Sequence, residues 1–301
     1  MRVFATGATG HLGSAVVPGL LSAGHEVVGL ARTETSATAL KALGAEARLG
    51  DLDDLDGLRE AASAADAVIH LAFKHEAMRA GDYAQAVEDD LTVVRAFGDA
   101  LDGTGKAFVG TSGTGAGAVP GRLGTEDDVV PGAPRVDAEN VVIGFAERGI
   151  RSSLVRLPPT VHSTLDHSGF VPALIEIART TGVSGYLGDG ANRWPAVHTL
   201  DAARVYRLAL EQAPAGSRLH AVADEGVPFR EIAEAIGRHL GVPATAIPAE
   251  QAQAHFGFLA WIVPLDVPVS SARTQELLGW RPEHPGLLAD LDLGHYFTAT
   301  T

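Results

Sequence analysis

The sequence predicts a doubly wound α/β fold, a parallel sheet covered by helices on both faces, with a smaller lobe built from later parts of the chain. Three observations carry this. The chain opens on an apolar run, Arg2-Val3-Phe4-Ala5, meets the glycine turn Thr6-Gly7-Ala8-Thr9-Gly10-His11-Leu12-Gly13, and leaves it through the helix-forming Ser14-Ala15-Val16-Val17. Short apolar runs then alternate with helical stretches, the pattern that imposes right-handed crossovers and parallel strands. The 301 residues, 46% of them apolar, suffice for one large domain or two modest ones with a real core.

Taken in order, the first helix ends near Gly24 and contains Pro18, which removes an internal hydrogen bond and is expected to kink it. Glu26 to Leu30 forms the second strand, and Ala31-Arg32-Thr33 follows it. The alternation continues with a helix over 36–43, a strand over 45–49, the turn Gly50-Asp51-Leu52, a helix over 55–64 and a strand over 67–71. A helix over 82–101, a strand over 106–109, a helix over 136–148 and a strand over 152–155 close this half. Residues 165–182 read as an insertion carrying a helix over 170–179, and 183–187 reads as strand. The turn Gly188-Asp189-Gly190 precedes Trp194-Pro195-Ala196-Val197-His198. A helix over 200–212 and a strand over 218–222 can return to the main sheet, a helix follows over 229–240, and the tail is richer in proline and aromatics. The expected division is a dinucleotide-binding domain over 1–156, completed by about 183–224, and a substrate-binding lobe from 157–182 and 225–301. No internal repeat or linker interrupts it.

A strand, a glycine turn and a helix in this order are the context a dinucleotide loop requires, and the fold is then of Rossmann type. Gly7 permits the tight turn, Gly10 lets backbone approach a pyrophosphate, and Gly13 lets helix and strand pack closely. Free N–H groups at the helix N-terminus would hold the diphosphate, with Thr9, His11 and Leu12 completing the loop. After the second strand a carboxylate would select NAD through the ribose 2′-hydroxyl, whereas Arg32 suits a 2′-phosphate. NADP, as NADPH, is therefore expected ahead of NAD, which Glu34 keeps open. Ligands of such a sheet bind beyond the carboxyl ends of its strands, which nominates Asp51, Leu71 to His75, Thr111-Ser112 and Pro158 to His162.

The formal net charge of −14 argues against nucleic acid and anionic membranes as partners. With no cysteine there are no disulfides, thiolate metal sites or cysteine nucleophiles. The chain enters a strand at once, leaving no room for a signal peptide, and its longest apolar region, 256–269, is too short to span a bilayer, so a cytoplasmic protein is expected. His70 and His75, or His162 and His167, lack the spacing of a metal site on one helix face, and no Gly-x-Ser-x-Gly elbow occurs.

These residues resemble the extended short-chain dehydrogenase/reductase superfamily, in the branch that holds the NAD-dependent epimerase/dehydratase-like proteins. The resemblance is carried by the glycine turn, Gly50-Asp51-Leu52, His70-Leu71-Ala72, Val109-Gly110-Thr111-Ser112, Val197-His198-Thr199-Leu200-Asp201-Ala202-Ala203 and the stretch from Ala272 to Pro282. It implies that Asp51 contacts adenine with help from the Leu52 amide, and that Leu71 and Ala72 line the nicotinamide ribose, beside which Lys74 is a further cofactor candidate. It also implies that Ser112 orients a substrate carbonyl, and it raises a four-helix homodimer seam from the helices over 82–101 and 136–148. Asp51 as a helix cap and Ser112 as a turn residue are the bland alternatives.

One departure matters more than these matches. Carbonyl-reducing members of that family use a tyrosine and a lysine four residues later on one helix, the lysine lowering the phenol pKa. Here the residues four after Tyr83, Tyr186 and Tyr206 are Val87, Gly190 and Leu210, Tyr296 is almost at the chain end, and the lysines are Lys41, Lys74 and Lys106. By register, Arg135 and Glu139 stand where the pair belongs. The candidate replacements are His162 as proton donor, with His167, Lys74 and His75 behind it, and Arg135 as an electrostatic stabiliser of a developing oxyanion while solvent supplies the proton. An Arg135–Glu139 ion pair at helical spacing is the competing structural reading.

The sequence thus predicts an NADPH-dependent reductase that transfers hydride to a small organic carbonyl, imine or quinone-like substrate, with Phe256 to Trp261 walling the pocket or packing the core. The alternatives are a non-catalytic regulator that senses NADP and a sugar-nucleotide epimerase or dehydratase.

Overall fold

The computed structural model describes residues 1–79, 82–133 and 135–298; the last three residues of the expected lobe, 299–301, lie outside the described residues. The chain runs through β1 (Arg2–Thr6), α1 (Gly13–Ser22), β2 (Glu26–Ala31), α2 (Glu34–Ala42), β3 (Glu46–Leu49), α3 (Leu55–Ala64) and β4 (Ala67–His70). It continues with a short α4 (His75–Arg79), a long α5 (Tyr83–Leu101), β5 (Ala107–Gly113), α6 (Val136–Gly144) and β6 (Arg151–Leu157). After β7 (Thr160–His162), α7 (Phe170–Thr181), β8 (Ser184–Leu187) and β9 (Arg193–His198), α8 (Thr199–Gln212) and β10 (Ser217–His220) return to the main body. The remainder is β11 (Asp224–Pro228), α9 (Phe229–Leu240), β12 (Ala244–Ile247), α10 (Ala252–Phe256), α11 (Ala272–Leu278) and α12 (Leu287–Asp292).

The main sheet has seven strands in the order β10-β6-β5-β4-β1-β2-β3, all paired parallel. The order reverses at β1, whose neighbours are β2 and β4, so the glycine turn leaves the sheet where a crevice must open. One face carries a core with Val16, Leu20, Leu40, Tyr206 and Trp280, and the other a core with Leu58, Phe97, Phe108 and Phe145. Burial on both faces explains why the central strands β1, β2, β4 and β5 are largely apolar, whereas the edge strand β3 carries Glu46 and Arg48. Thr33 caps α2 by a capping box, its hydroxyl taking the Ser36 amide at 3.1 Å, which fixes the chain just after Arg32. Helix α1 continues through Pro18 to Ser22.

The second lobe holds the sheet β11-β9-β7 and the pair β12-β8 around its own core, with Trp194, Phe229, Ile232, Ile236 and Phe256 fully enclosed. The expected completion of the main sheet by 183–224 is corrected here. Ser184–Leu187 pairs with Ala244–Ile247, and Arg193–His198 pairs with β7 and β11, so only α8 and β10 rejoin the main sheet. No helix among the described residues is long and apolar enough to cross a membrane. The outward residues Gln85, Glu88, Arg95 and Asp99 make the exposed face of α5 polar.

Candidate functional site

The site is built at the carboxyl ends of β1, β4 and β5. Gly7 has φ +65°, and a Cβ there would lie 2.8 Å from the Ala72 amide nitrogen. At Gly13 a Cβ would fall 2.1 Å from the Gly7 carbonyl oxygen, so only glycine allows α1 to start against the turn. Gly10 is different: it sits exposed, and a Cβ there would meet only the Gly7 carbonyl, at 3.3 Å. The amides of His11 and Leu12 donate to no backbone carbonyl among the described residues. An open glycine crest above free amides at a helix start is a cradle that fits a diphosphate.

The other candidate cofactor residues lie around this turn. Leu71 and Ala72 pack beneath Gly7, the Ala72 amide donating to the Thr6 hydroxyl at 3.2 Å. Thr9 is exposed on the crest. The His11 ring instead turns toward the second lobe, its Nε2 2.8 Å from the Thr199 hydroxyl, and burial lowers its pKa. Arg32, its side chain 72% exposed, has only a loose 3.8 Å approach to Glu76. Asp51 takes the Asp53 and Asp54 amides at 2.9 and 3.2 Å, so it does organise the turn before α3, while Asp54 is the cap of that helix. Leu52 packs on the core of the α3 face. Lys74 is held by Asp53 at 2.6 Å and Asp89 at 2.8 Å, and these bonds raise its pKa. It is a buttress of the crevice, already neutralised.

Arg135 is the centre of the hydrogen-bonded cluster beside the turn. It is the sole non-glycine residue with positive φ among those described, at 65°, and it opens α6. Strain of this kind costs about 1–3 kcal/mol and persists only where the surroundings hold it. They do so through the buried Asp90, which the guanidinium meets at 3.0 to 3.2 Å, and through the Thr111 carbonyl at 2.6 Å. Its plane also covers the Phe73 ring, 4.6 Å from the centroid. Asp90 is contacted in turn by His70 Nε2 at 3.3 Å, and the Thr6 hydroxyl meets His70 Nδ1 at 2.7 Å. The Thr111 hydroxyl donates to the His70 carbonyl at 2.7 Å. Burial alone would push the Asp90 carboxyl up, but Arg135 and His70 hold it below the usual range. The result is a closed ring of hydrogen bonds that ties β4, β5, α5 and the start of α6 together beside the glycine turn.

The competing structural reading, an Arg135–Glu139 ion pair, is overturned. Glu139 turns inward to Arg156, at 2.6 Å, with both side chains 0% exposed. Arg156 also donates to the Asp128 carbonyl at 2.8 Å. Ser112 is buried with its hydroxyl meeting no partner among the described residues, and so is Thr114 two residues on. Buried hydroxyls are nearly always bonded, so two orphans at one strand end leave hydrogen-bonding capacity there for a water or a ligand.

His162 is corrected as the proton donor. Its ring is 0% exposed, Nδ1 is 2.9 Å from Asp290 and the ring edge meets His198, so it faces the second lobe's interior and cannot touch a substrate in the crevice. Among the lower-ranked donors, His167 is exposed in the 163–169 loop, and His75 stands at the start of α4 with its ring against Phe73. Among the described residues no group of three or more metal-binding side chains is placed to hold an ion.

Sequence reasoning missed Tyr83, Asp90 and Thr114, and held Phe73 only within the nominated stretch 71–75. Asp90 left a trace, as a carboxylate on the apolar stripe Ala86, Val93, Phe97 of α5. From the second lobe, Trp261 reaches Tyr83 with ring centroids 6.2 Å apart. In the stretch 256–261, Phe256 and Leu259 pack the core, whereas Phe258 and Trp261 are exposed.

Comparison with known proteins agrees with this fold. The model of the NAD dependent epimerase/dehydratase family matches residues 3–222. The Schizosaccharomyces pombe protein C2A9.02, described as uncharacterized, is 47% identical over 99% of this chain and 100% of its own. A Stigmatella aurantiaca protein named 4-hydroxy-2-methyl-3-oxo-4-farnesyl-3,4-dihydroquinoline-1-oxide ketoreductase is 28% identical over 87% of this chain and 81% of its own. The solved UDP-glucose 4-epimerase of Thermus thermophilus, a complex with NAD, superposes with TM-score 0.75 at 22% identity, covering all of both chains.

Proposed function

Because this chain belongs to the NAD-dependent epimerase/dehydratase family, we propose that it is an NADPH-dependent reductase of a small organic carbonyl, imine or quinone-like compound. The observation that carries the reading is the unpartnered, buried Ser112 hydroxyl at the strand end, next in sequence to the Thr111 carbonyl that Arg135 holds. The glycine turn fits the diphosphate, and the exposed Arg32 guanidinium, fixed just before the capped α2, suits a 2′-phosphate. Asp51 is the proposed adenine contact.

A bound NADPH would supply the hydride. Ser112 then donates a hydrogen bond to the substrate oxygen, and Arg135 stabilises the charge that develops there. Arg135 is already in place, held by Asp90, so little rearrangement accompanies reaction. Solvent supplies the proton. The ketoreductase relative supports the reductive direction.

The test is titration of the purified protein with NADPH and NADH, then a panel of aldehydes, ketones, imines and quinones with the reduced nicotinamide absorbance followed. Arg32→Ala is expected to weaken NADPH about tenfold and leave NADH unchanged. Ser112→Ala and Arg135→Gln are each expected to lower turnover about a hundredfold while NADPH still binds. Tight NADPH binding without turnover on any substrate overturns the reductase and favours the NADP-sensing regulator. Interconversion of sugar nucleotides without net consumption of NADPH favours the epimerase.

A further inference from the structure

Aromatic rings line this crevice from its mouth inward. Trp261, on the second lobe, is 50% exposed, and its neighbours Phe258 and Leu265 are each 39% exposed. Its ring lies 6.2 Å from that of Tyr83 at an interplanar angle of 30°. Tyr83 lies 6.2 Å from Phe73, and Phe73 lies under the Arg135 guanidinium. Single exposed apolar residues need no explanation, but three from one segment that continue into a run of rings mark a binding surface.

The charges narrow what this surface takes. Lys74 and Arg135, the cations beside it, are both met by carboxylates, Lys74 by Asp53 and Asp89 and Arg135 by Asp90. Among the described side chains, a phosphate or carboxylate on the substrate would therefore meet here only cations that already pair with carboxylates. What remains is hydrogen-bond donation to a neutral oxygen, from Arg135, from Ser112, and from Tyr83, whose phenol burial keeps protonated by pushing its pKa up.

We propose that this strip makes the crevice selective for neutral, planar aromatic carbonyl compounds, the carbonyl oxygen toward Arg135 and Ser112 and the ring system against Tyr83 and Trp261. The inference deepens the reductase reading of the same site and rests on it. Flat rings gain offset or edge contacts with aromatic side chains beyond the area they bury, whereas saturated rings of equal size gain only the area.

The test uses saturation-transfer NMR on the intact protein loaded with NADP, with acetophenone and cyclohexyl methyl ketone as probes. Acetophenone is expected to bind about tenfold tighter than the saturated ketone. Trp261→Ala should remove that preference while changing the saturated ketone by less than about twofold. Arg135→Gln should weaken both probes alike, and benzoate should bind no better than acetophenone. Equal affinity for the two ketones, or an equal loss of both in Trp261→Ala, overturns the proposal. The parent reading fails separately: acetophenone held with this selectivity but never reduced by NADPH removes the reductase, whereas equal reduction of both ketones keeps the reductase and removes the selectivity.

Discussion

Glu139→Gln is a test of how the interior beneath the site is held. The substitution keeps shape and removes one charge, leaving Arg156 fully enclosed with its guanidinium facing a neutral amide. In the native protein Arg156 reaches Glu139 through three contacts of 3.1, 3.1 and 2.6 Å, with both side chains 0% exposed. Breaking a buried pair from one side costs about 3–5 kcal/mol, because the surviving charge stays desolvated. At about 2–4 °C per kcal/mol for a chain of this size, the melting temperature should fall by about 6–20 °C. Urea unfolding followed by circular dichroism, with and without the substitution, measures the same quantity. Glu139→Leu combined with Arg156→Met should recover much of the loss, since a well-packed apolar replacement of a buried pair is close to neutral. A loss below about 1 kcal/mol in Glu139→Gln would refute the reasoning, because the Arg156 charge would then have another compensation.

Three further outcomes follow from the same structure. His220 is buried and its pKa is lowered to about 4 from 6.5, mainly by burial, so the unfolded chain binds this proton first as pH falls; its own contribution to stability should be flat above pH 7 and fall by about 2 kcal/mol by pH 5, so the loss between the two pH values in urea titrations should be smaller by about that amount in His220→Gln. Gly13→Ala should unfold or severely destabilise the protein because its Cβ would meet the Gly7 and Ala8 backbone, whereas Gly10→Ala should keep the fold within about 1 kcal/mol and abolish dinucleotide binding, which calorimetry separates. Of the three tryptophans only Trp261 is exposed, Trp194 and Trp280 being fully buried, so acrylamide should quench one emission component and Trp261→Phe should remove it.

The main sheet was legible because its central strands β1, β2, β4 and β5 are largely apolar and its first turn needs glycine at two of three positions. What local pattern could not supply was pairing. Val183 to Leu187 reads as a strand, but nothing in it says that its partner is the small-residue stretch Ala244–Ile247 of the second lobe. Arg135 and Glu139 were found by register, yet each takes a partner remote in sequence, 45 residues away for Arg135 and 17 for Glu139, so spacing suggested a bond the fold does not make. His162 failed as a donor for the same reason: its burial depends on Asp290, 128 residues later. The motif around Asp201 and the tail from Trp280 looked like separate signatures. In the fold they are one contact, Asp201 accepting the Glu283 and His284 amides and its carbonyl the Trp280 indole.

The left-handed backbone at Arg135 and the inward turn of Glu139 have a consequence for how this sequence can change. A tyrosine at 135 would inherit a conformation that bulky residues resist, without the Asp90 bonds that hold it. A lysine at 139 would be pressed against Arg156 in a space from which water is excluded. Each substitution alone therefore costs stability, and a tyrosine–lysine pair at these positions would require 90 and 156 to change with it.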